Sequence, residues 1–204
     1  MIIFDVGANT GLSTKNFINS NNFIYSFEPI PYLCENYLFP LRSSNYFVIQ
    51  KAVSDFNGRA TFNIAKQDYS LTDGSLYGCS SLHQFSEDLN SKWPGRKDFE
   101  FFEEIEVDTI RMDKFIKENN IGKVDYLKCD TQGNDLKVLK SFGNYIKVLY
   151  SGTIECVNKN SLYKDVDNSL DSATYFLESV GFNITDIQSN DKFNNEVNVS
   201  FSRI

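Results

Sequence analysis

The sequence predicts an α/β fold built on a mostly parallel, doubly wound sheet, and three observations predict it. Short apolar, β-branched runs alternate with segments of helical period along the chain. The first run, Ile2-Ile3-Phe4, breaks into Asp5-Val6-Gly7-Ala8-Asn9-Thr10-Gly11 before a new apolar segment (Leu12, Phe17, Ile18), which reads as strand, glycine turn and helix. Two closing strands, Phe182-Asn183-Ile184 and Val197-Asn198-Val199-Ser200-Phe201, add one antiparallel member.

Taken in order, Phe23 to Phe27 reads as the second strand, and Pro29-Ile30-Pro31 stops it and starts a helix reaching about Pro40. Tyr46 to Ile49 is a third strand running on through Lys51-Ala52-Val53-Ser54. The Asp55-Phe56-Asn57-Gly58 turn then leads to Arg59–Ile64, an expected hairpin beside the ligand. From Lys66 to Glu104 periodicity fades. Ser70, Thr72, Asp73, Gly74, Ser75, Gly78, Ser80 and Ser81 fill its first half and Trp93-Pro94-Gly95-Arg96 punctuates the second, so a functional lid is expected. Ile105–Ile110 alternates as a strand before a helix over Met112–Asn119. Val124 to Cys129 is the next central strand and ends at Asp130. Gly133 opens a helix with Leu136, Leu139 and Phe142 on one face. Lys147–Cys156 gives a further strand with Glu155 near its end, and a helix over Ser169–Val180 stops at Gly181.

The glycine turn restricts the ligand. A dinucleotide fingerprint needs three glycines to seat a pyrophosphate on helix N–H groups, and the third is missing here. Instead a carboxylate, Asp5, precedes Gly7 by two residues. An acid there repels a pyrophosphate but serves a ligand carrying an ammonium and a sulfonium, as S-adenosylmethionine does. Gly7 allows a sharp turn, and Gly11 is expected to let a ligand lie against the helix start. Glu28 ends the next strand, where an acid bonds ribose hydroxyls.

Composition narrows the function further. At 204 residues the chain fits one domain with a full core, and 41% apolar residues exclude disorder. A net charge of −7 argues against a nucleic-acid partner, which needs a basic face. No run reaches the length of a membrane span, and the N-terminus lacks the basic region of a signal peptide. Cys34, Cys79, Cys129 and Cys156 are widely spaced without a Cys-x-x-Cys, which predicts buried, reduced thiols in the cytoplasm. Domains of this kind usually carry a helix before the first strand, yet here the strand begins at Ile2, so one piece of a longer polypeptide is expected.

With these elements placed, the sequence resembles the FkbM-type S-adenosylmethionine-dependent methyltransferases. The matching stretches are Phe4–Gly11, Phe27-Glu28-Pro29-Ile30-Pro31, Ala52-Val53-Ser54-Asp55 with Gly58, Ser80-Ser81-Leu82, Val124–Gly133, and Glu155 followed by Leu162-Tyr163. They keep family order and reach nearly end to end. Gln132 departs from the Glu that many members carry, and Ser141 from a frequent Gly. The resemblance implies a Rossmann-like class I methyltransferase fold, with a mostly parallel seven-stranded sheet, one antiparallel strand and helices on both faces. It implies O-methylation, often of sugar or polyketide hydroxyls. It also implies cofactor contacts from Asp5, Gly7, Asn9, Thr10, Gly11, Glu28, Pro29, Ala52, Val53, Ser54 and Asp130.

The chemistry is an in-line displacement at a methyl carbon, so the protein must align a hydroxyl and exclude water. Asp130 is the first candidate base, because strand carboxyl ends in open α/β sheets face the ligand crevice. The alternative is that Asp130 caps the following helix. Glu155 comes next, as a base or as a binder of acceptor hydroxyls. His83, the single histidine, is a third candidate. Asp130 and Glu155 together could hold a divalent cation, though nothing in their spacing demands one. Ser80, Ser81, His83, Glu155 and Tyr163 are candidate substrate contacts, and Tyr69, Tyr77, Phe85 and Trp93 offer faces for sugar rings. The expected acceptor is a sugar hydroxyl of a glycan or glycoconjugate, with the domain fused to or associated with glycosyltransferase domains. A lipid, polyketide or small-metabolite hydroxyl is the runner-up. A non-catalytic cofactor-binding module is the third reading, disfavoured by the intact Asp5, Gly7, Gly11 and Glu28.

Overall fold

The computed structural model describes residues 1–19, 21–69 and 74–203; Ser70, Thr72 and Asp73 lie outside them. Strands β1 (Ile2–Val6), β2 (Phe23–Phe27), β3 (Tyr46–Ile49), β7 (Tyr126–Cys129), β8 (Ser151–Val157), β9 (Asn183–Ser189) and β10 (Glu196–Ser202) form one sheet in the order β3-β2-β1-β7-β8-β10-β9. All neighbours from β3 to β8 pair in parallel, and β10 runs antiparallel to both β8 and β9. The chain thus has the expected mostly parallel seven-stranded sheet.

Strand periodicity divides the sheet into two faces. Phe4, Val6, Phe27, Leu127, Cys129 and Ile154 enter the main core, where they meet residues of α3 (Met112–Glu118), α4 (Asp135–Ser141) and α5 (Leu170–Ser179). Ile3, Ile24 and Tyr46 pack in a separate cluster. Along this second face the registers align Ser26 with Asp5, Asp5 with Lys128, Lys128 with Thr153 and Thr153 with Ser200. A polar row therefore crosses five strands. Ser26 Oγ donates to Tyr46 Oη (2.9 Å), and Thr153 and Ser200 share a hydrogen bond (3.0 Å).

Three expectations are corrected. Among the described residues no α-helix follows the glycine turn, and a 3-10 turn forms at Lys15–Phe17. Leu12 and Phe17 stay exposed, so the apolar spacing there has no buried face to serve. The expected hairpin beside the ligand is also rearranged. β4 (Ala52–Val53) leaves the main sheet and pairs in parallel with β6 (Phe101–Ile110), while β5 (Gly58–Ala65) pairs antiparallel with β6 along its whole length. These make a second sheet in the order β4-β6-β5, so the strand at 105–110 belongs to it and not to the main one. Finally, 143–148 is a 3-10 turn, and β8 begins only at Ser151. The segment after β2 starts as helix α1 (Pro31–Leu33) and continues as a π-type turn (Cys34–Leu38) and a 3-10 turn (Phe39–Leu41). Within the 66–104 connection, helix α2 (Leu89–Lys92) leads into Trp93, which is buried.

Gly7 ties the two halves of the main sheet. Its φ is +73°, and a Cβ built on it would lie 1.9 Å from the backbone oxygen of Asp130, at the end of β7. Gly7→Ala is expected to lower stability by about 3 kcal/mol or more, from left-handed strain plus an overlap with unyielding backbone. Urea denaturation of the ligand-free protein checks this.

Candidate active site

A cleft of about 390 Å³ opens where β1, β2, β7 and β8 end, and the 74–99 region supplies much of its far wall. Its size falls within the range of small-molecule sites. On the β1–β2 side the glycine turn folds back on the next strand: Gly7 N and Ala8 N both donate to Phe27 O at 3.0 Å. Asn9, in the left-handed region at φ +52°, accepts from Thr10 N (2.9 Å) and Leu76 N (3.0 Å) and donates to Leu76 O (2.7 Å). Thr10 Oγ1 donates to Gly74 O (3.2 Å). These bonds hold the far wall against the turn.

Glu28 lines this end of the cleft. Asn9 N donates to its Oε2 (2.8 Å) and Ile30 N to its Oε1 (3.0 Å), so both carboxyl oxygens are fixed while each keeps further acceptor capacity. Burial pushes Glu28 up to about 7, although the two N–H bonds and Lys128 pull the other way. Pro29, Ala52 and Val53 line the cleft beside it, with Tyr77 opposite the expected set. A fixed acid with free lone pairs, next to small and apolar walls, fits a nucleoside with a ribose diol. Ser54 does not reach this space: it is buried, with its Oγ on Asp55 (3.2 Å).

Asp5 and Gly11 are placed otherwise than expected. Asp5 is 0% exposed and lies beneath the cleft. Its Oδ2 accepts from Thr14 Oγ1 (2.5 Å), and its Oδ1 has no hydrogen bond but faces Lys128 Nζ at 3.6 Å. The reason is strand alternation, which turns Asp5 onto the polar row. A Cβ on Gly11 would meet Leu38, Leu41 and the Tyr46 hydroxyl at 3.0–3.3 Å, so this glycine admits packing from beneath, not a ligand.

The opposite end gathers the acids. Asp130 and Glu155 both line the cleft, and Gln132 Nε2 bridges them, donating to Asp130 Oδ1 (2.9 Å) and Glu155 Oε2 (3.1 Å). Lys128 Nζ donates to Gly7 O (2.7 Å) and lies 3.8 Å from Asp130 Oδ2. Burial alone would lower the Lys128 pKa, but Asp130 and Asp5 outweigh it and hold the ammonium charged. Glu155 is held well above the carboxylate range by burial, with Glu196, Asp130 and Asp135 adding to the effect; Asn190 Nδ2 also donates to it. Burial and Asp130 push Glu196 up to about 8. Asp130 is not a helix cap: Asn134 occupies that position, and Asp135 takes the Thr131 N–H (3.2 Å) and hydroxyl (2.9 Å). The Gln132 amide fills the place between the two acids that a cation would need. Among the described residues no group of three His, Cys, Asp or Glu side chains could hold a metal.

Of the remaining candidates, Ser80 lines the cleft, with its Oγ accepting from Ala65 N (2.9 Å) and donating to Tyr77 O (2.6 Å). Ser81, His83 and Tyr163 stand behind the wall. Ser81 Oγ donates to Gln132 O (2.6 Å), His83 Nε2 pairs with Asn134 Oδ1 (3.2 Å), and the Tyr163 hydroxyl sits 2.8 Å from Gln132 Oε1. Burial lowers the His83 pKa. One ring nitrogen is engaged by Asn134, and His83 is not among the residues that line the cleft. Of the aromatic faces, Tyr77 and Trp93 line the cleft, Tyr69 is 89% exposed away from it, and Phe85 is stacked between Phe101 and Tyr163. Sequence reasoning missed Lys128, Gln132, Arg96, Asn190 and Glu196. For Lys128 a signal existed: strand alternation sets it on the Asp5 face. Arg96 is paired with Asp98 at the far wall.

The sequence matches the model of the methyltransferase FkbM domain over residues 5–184. It is similar to the 2-O-methyltransferase NoeI of Sinorhizobium fredii, 28% identical over 144 residues, covering 68% of this chain and 56% of that protein. The chain thus spans little more than half the length of that curated relative. Among solved structures it resembles fibrillarin from Aeropyrum pernix, described with natively bound S-adenosyl-L-methionine (TM-score 0.51, 12% identity, 98% of this chain and 65% of that one). It also resembles a chain of a fibrillarin/Nop5p complex (TM-score 0.52, 12% identity, 100% of this chain and 72% of that one). These likenesses are to the Rossmann-like class I methyltransferase fold.

Asp5→Asn keeps the shape and the Thr14 contact but removes a buried charge opposite Lys128. It is expected to lower stability by about 1–3 kcal/mol while leaving nucleoside affinity within about threefold. Urea denaturation and calorimetry with S-adenosylhomocysteine separate the two effects. A large affinity loss in a stable variant would return Asp5 to the binding surface.

Proposed function

The chain belongs to the FkbM methyltransferase family, and from that premise we propose that it is an S-adenosylmethionine-dependent O-methyltransferase acting on a sugar hydroxyl of a glycan or glycoconjugate. The observation that carries this reading is the polarity of the cleft. Glu28 sits at the β2 end with fixed carboxyl oxygens, and Asp130 sits at the β7 end across the Gly7 turn. One end suits a nucleoside, and the other offers a proton acceptor. A relative named as a 2-O-methyltransferase supports a hydroxyl acceptor. Trp93, Asn190 and Arg96 beside the acids offer an aromatic edge and convergent polar groups, which favours a sugar.

When bound, S-adenosylmethionine supplies an electrophilic methyl on a cationic sulfonium, a good leaving group. The protein's part is alignment and proton removal. Glu28 accepts the ribose hydroxyls, and Asn9 holds Glu28 and the far wall together. Asp130 Oδ2, the oxygen not engaged by Gln132, would take the acceptor proton, while the bound group would supply the methyl with its sulfur as leaving group. Lys128 holds Asp130 near the turn and balances its charge. An enzyme that adds sugars would supply this acceptor, so association or fusion with a glycosyltransferase belongs to the same reading. A cytoplasmic setting does too, supported by four buried free thiols. No helix among the described residues is long and apolar enough to cross a membrane.

Glu28→Ala should weaken S-adenosylhomocysteine binding by about 1.5–3 kcal/mol, as for lost hydrogen bonds to a charged group. The pH sign follows from burial. With Glu28 at about 7 in the free protein, the carboxylate that accepts the diol is lost below that value. Affinity should therefore fall by up to about tenfold per pH unit below 7. Calorimetry across pH measures both, and tight NAD binding instead would sink the cofactor assignment.

A screen of glycans with methyl-labelled cofactor tests the acceptor. Asp130→Ala should lower turnover by about a hundredfold or more, with cofactor affinity much less affected. Methylation of lipid or polyketide hydroxyls alone would move the substrate to the runner-up.

A further inference from the structure

Two carboxyl groups that line one cleft repel each other when ionised, and the usual relief is a proton shared between them. Here a neutral donor stands between them. Gln132 Nε2 gives one hydrogen to Asp130 Oδ1 at 2.9 Å and the other to Glu155 Oε2 at 3.1 Å. We propose that Gln132 is a positioning residue for methyl transfer, whose amide joins Asp130 to Glu155 through donated hydrogens and so leaves Asp130 free to accept the substrate's proton. This rests on Asp130 as the base.

The amide cannot be turned over. Reversed, its oxygen would face the Asp130 carboxylate, which accepts and does not donate, and Asp130 Oδ1 would lose its hydrogen-bond donor. Its oxygen instead lies 2.8 Å from the Tyr163 hydroxyl. The backbone is also held by force. Gln132 has φ +55°, a left-handed conformation that costs a side-chain-bearing residue about 1–3 kcal/mol and persists only where its surroundings over-determine it. Those surroundings are present: Ser81 Oγ donates to the Gln132 carbonyl at 2.6 Å. Gly133 follows at φ +92°, and a Cβ there would meet the Tyr163 ring at 2.8 Å, so the ring presses directly on this turn. Ser81 and Tyr163 thus support the amide from behind the wall and need not touch substrate.

The charges around the pair explain why a neutral donor matters. From β7, Lys128 lies 3.8 Å from Asp130 Oδ2, and beyond it stands Asp5 of β1. From α4, Asp135 accepts the Glu155 N–H at 3.3 Å. From β10 and the turn before it, Glu196 and Asp191 line the same space, with Arg96 on the far wall paired to Asp98 and Tyr163 behind. Lys128 is the cation within ion-pair reach of Asp130, and it is shared with Asp5. Gln132 adds two hydrogens to this acidic end without adding a charge. A glutamate at the same place would remove both hydrogens and add a further carboxyl group to the pair, so the cluster would have to take up an additional proton.

Carbon-13 NMR of the carboxyl groups tests this without an acceptor, on the whole chain labelled at Asp and Glu. Asp130→Asn and Glu155→Gln assign the two signals. Gln132→Glu is expected to move the Asp130 titration midpoint upward by about one pH unit or more, a tenfold gain in proton affinity. Gln132→Met, of similar length but without a donor, should move it the same way and serves if the glutamate variant fails to fold. An unmoved midpoint in a variant that melts like the parent overturns the role of Gln132. With an acceptor in hand, the acid limb of the turnover profile should move by the same amount, whereas a merely structural defect would lower turnover equally at every pH. Failure of the underlying reading looks different. Turnover that survives Asp130→Ala overturns the base and with it this role in methyl transfer, while the carboxyl titration would stay as described.

Discussion

The half-buried ammonium of Lys128 is the interaction on which the site depends. An ammonium taken out of water is tolerated only where opposite charge and acceptors surround it. Lys128 finds them in Asp5 beneath, Gly7 O beside and Asp130 above. These three partners are the end of β1, the turn that follows it and the end of β7. One side chain thereby fixes the relative heights of the two central strands and carries charge from the sheet's interior to the cleft. Asp5, which reads from the sequence as a ligand contact, works one layer down, as the counter-ion of the residue that touches the cleft.

The cleft itself is assembled from two sheets. The main sheet offers the strand ends that bear Glu28, Asp130 and Glu155, as open α/β sheets generally do. The β4-β6-β5 sheet and the connection between β5 and β6 form the wall that faces them. Asn9 is the clasp between the two, because it bonds both Glu28 and Leu76. Its left-handed backbone, like those of Tyr77 and Gln132, sets a strained residue that carries polar contacts into the cleft wall.

The sequence made the main sheet legible because its strands are apolar, short and punctuated, and because the glycine turn and Glu28 follow in a familiar order. The second sheet was hidden. Ala52-Val53 lies only two residues after β3, so nothing local reveals that the chain has changed sheets, and the partner of β5 lies beyond a long irregular stretch. The missing helix after Gly11 was equally hidden, since Leu12, Phe17 and Ile18 carry the right spacing while only Ile18 packs against the sheet. At the site, Glu28, Asp130 and Glu155 could be found from strand ends. Gln132 could not be found that way, because its role comes from reaching Glu155, 23 residues along the chain, as well as its neighbour Asp130. Asn190 and Glu196 arrive from the last hairpin, which no motif connects to the rest.

The polar row on the second face of the main sheet has a consequence for how the strands find one another. In a parallel sheet a slip of one residue turns every side chain of a strand to the opposite face. For β1 such a slip would drive Asp5 into the cluster of Phe4, Phe27 and Leu127, and for β7 it would send Lys128 there. Apolar strands rich in Ile, Phe and Val tolerate many alignments, whereas one charged pair in their midst tolerates few. Asp5 and Lys128 therefore act as an alignment mark, making mispaired arrangements of the central strands costly.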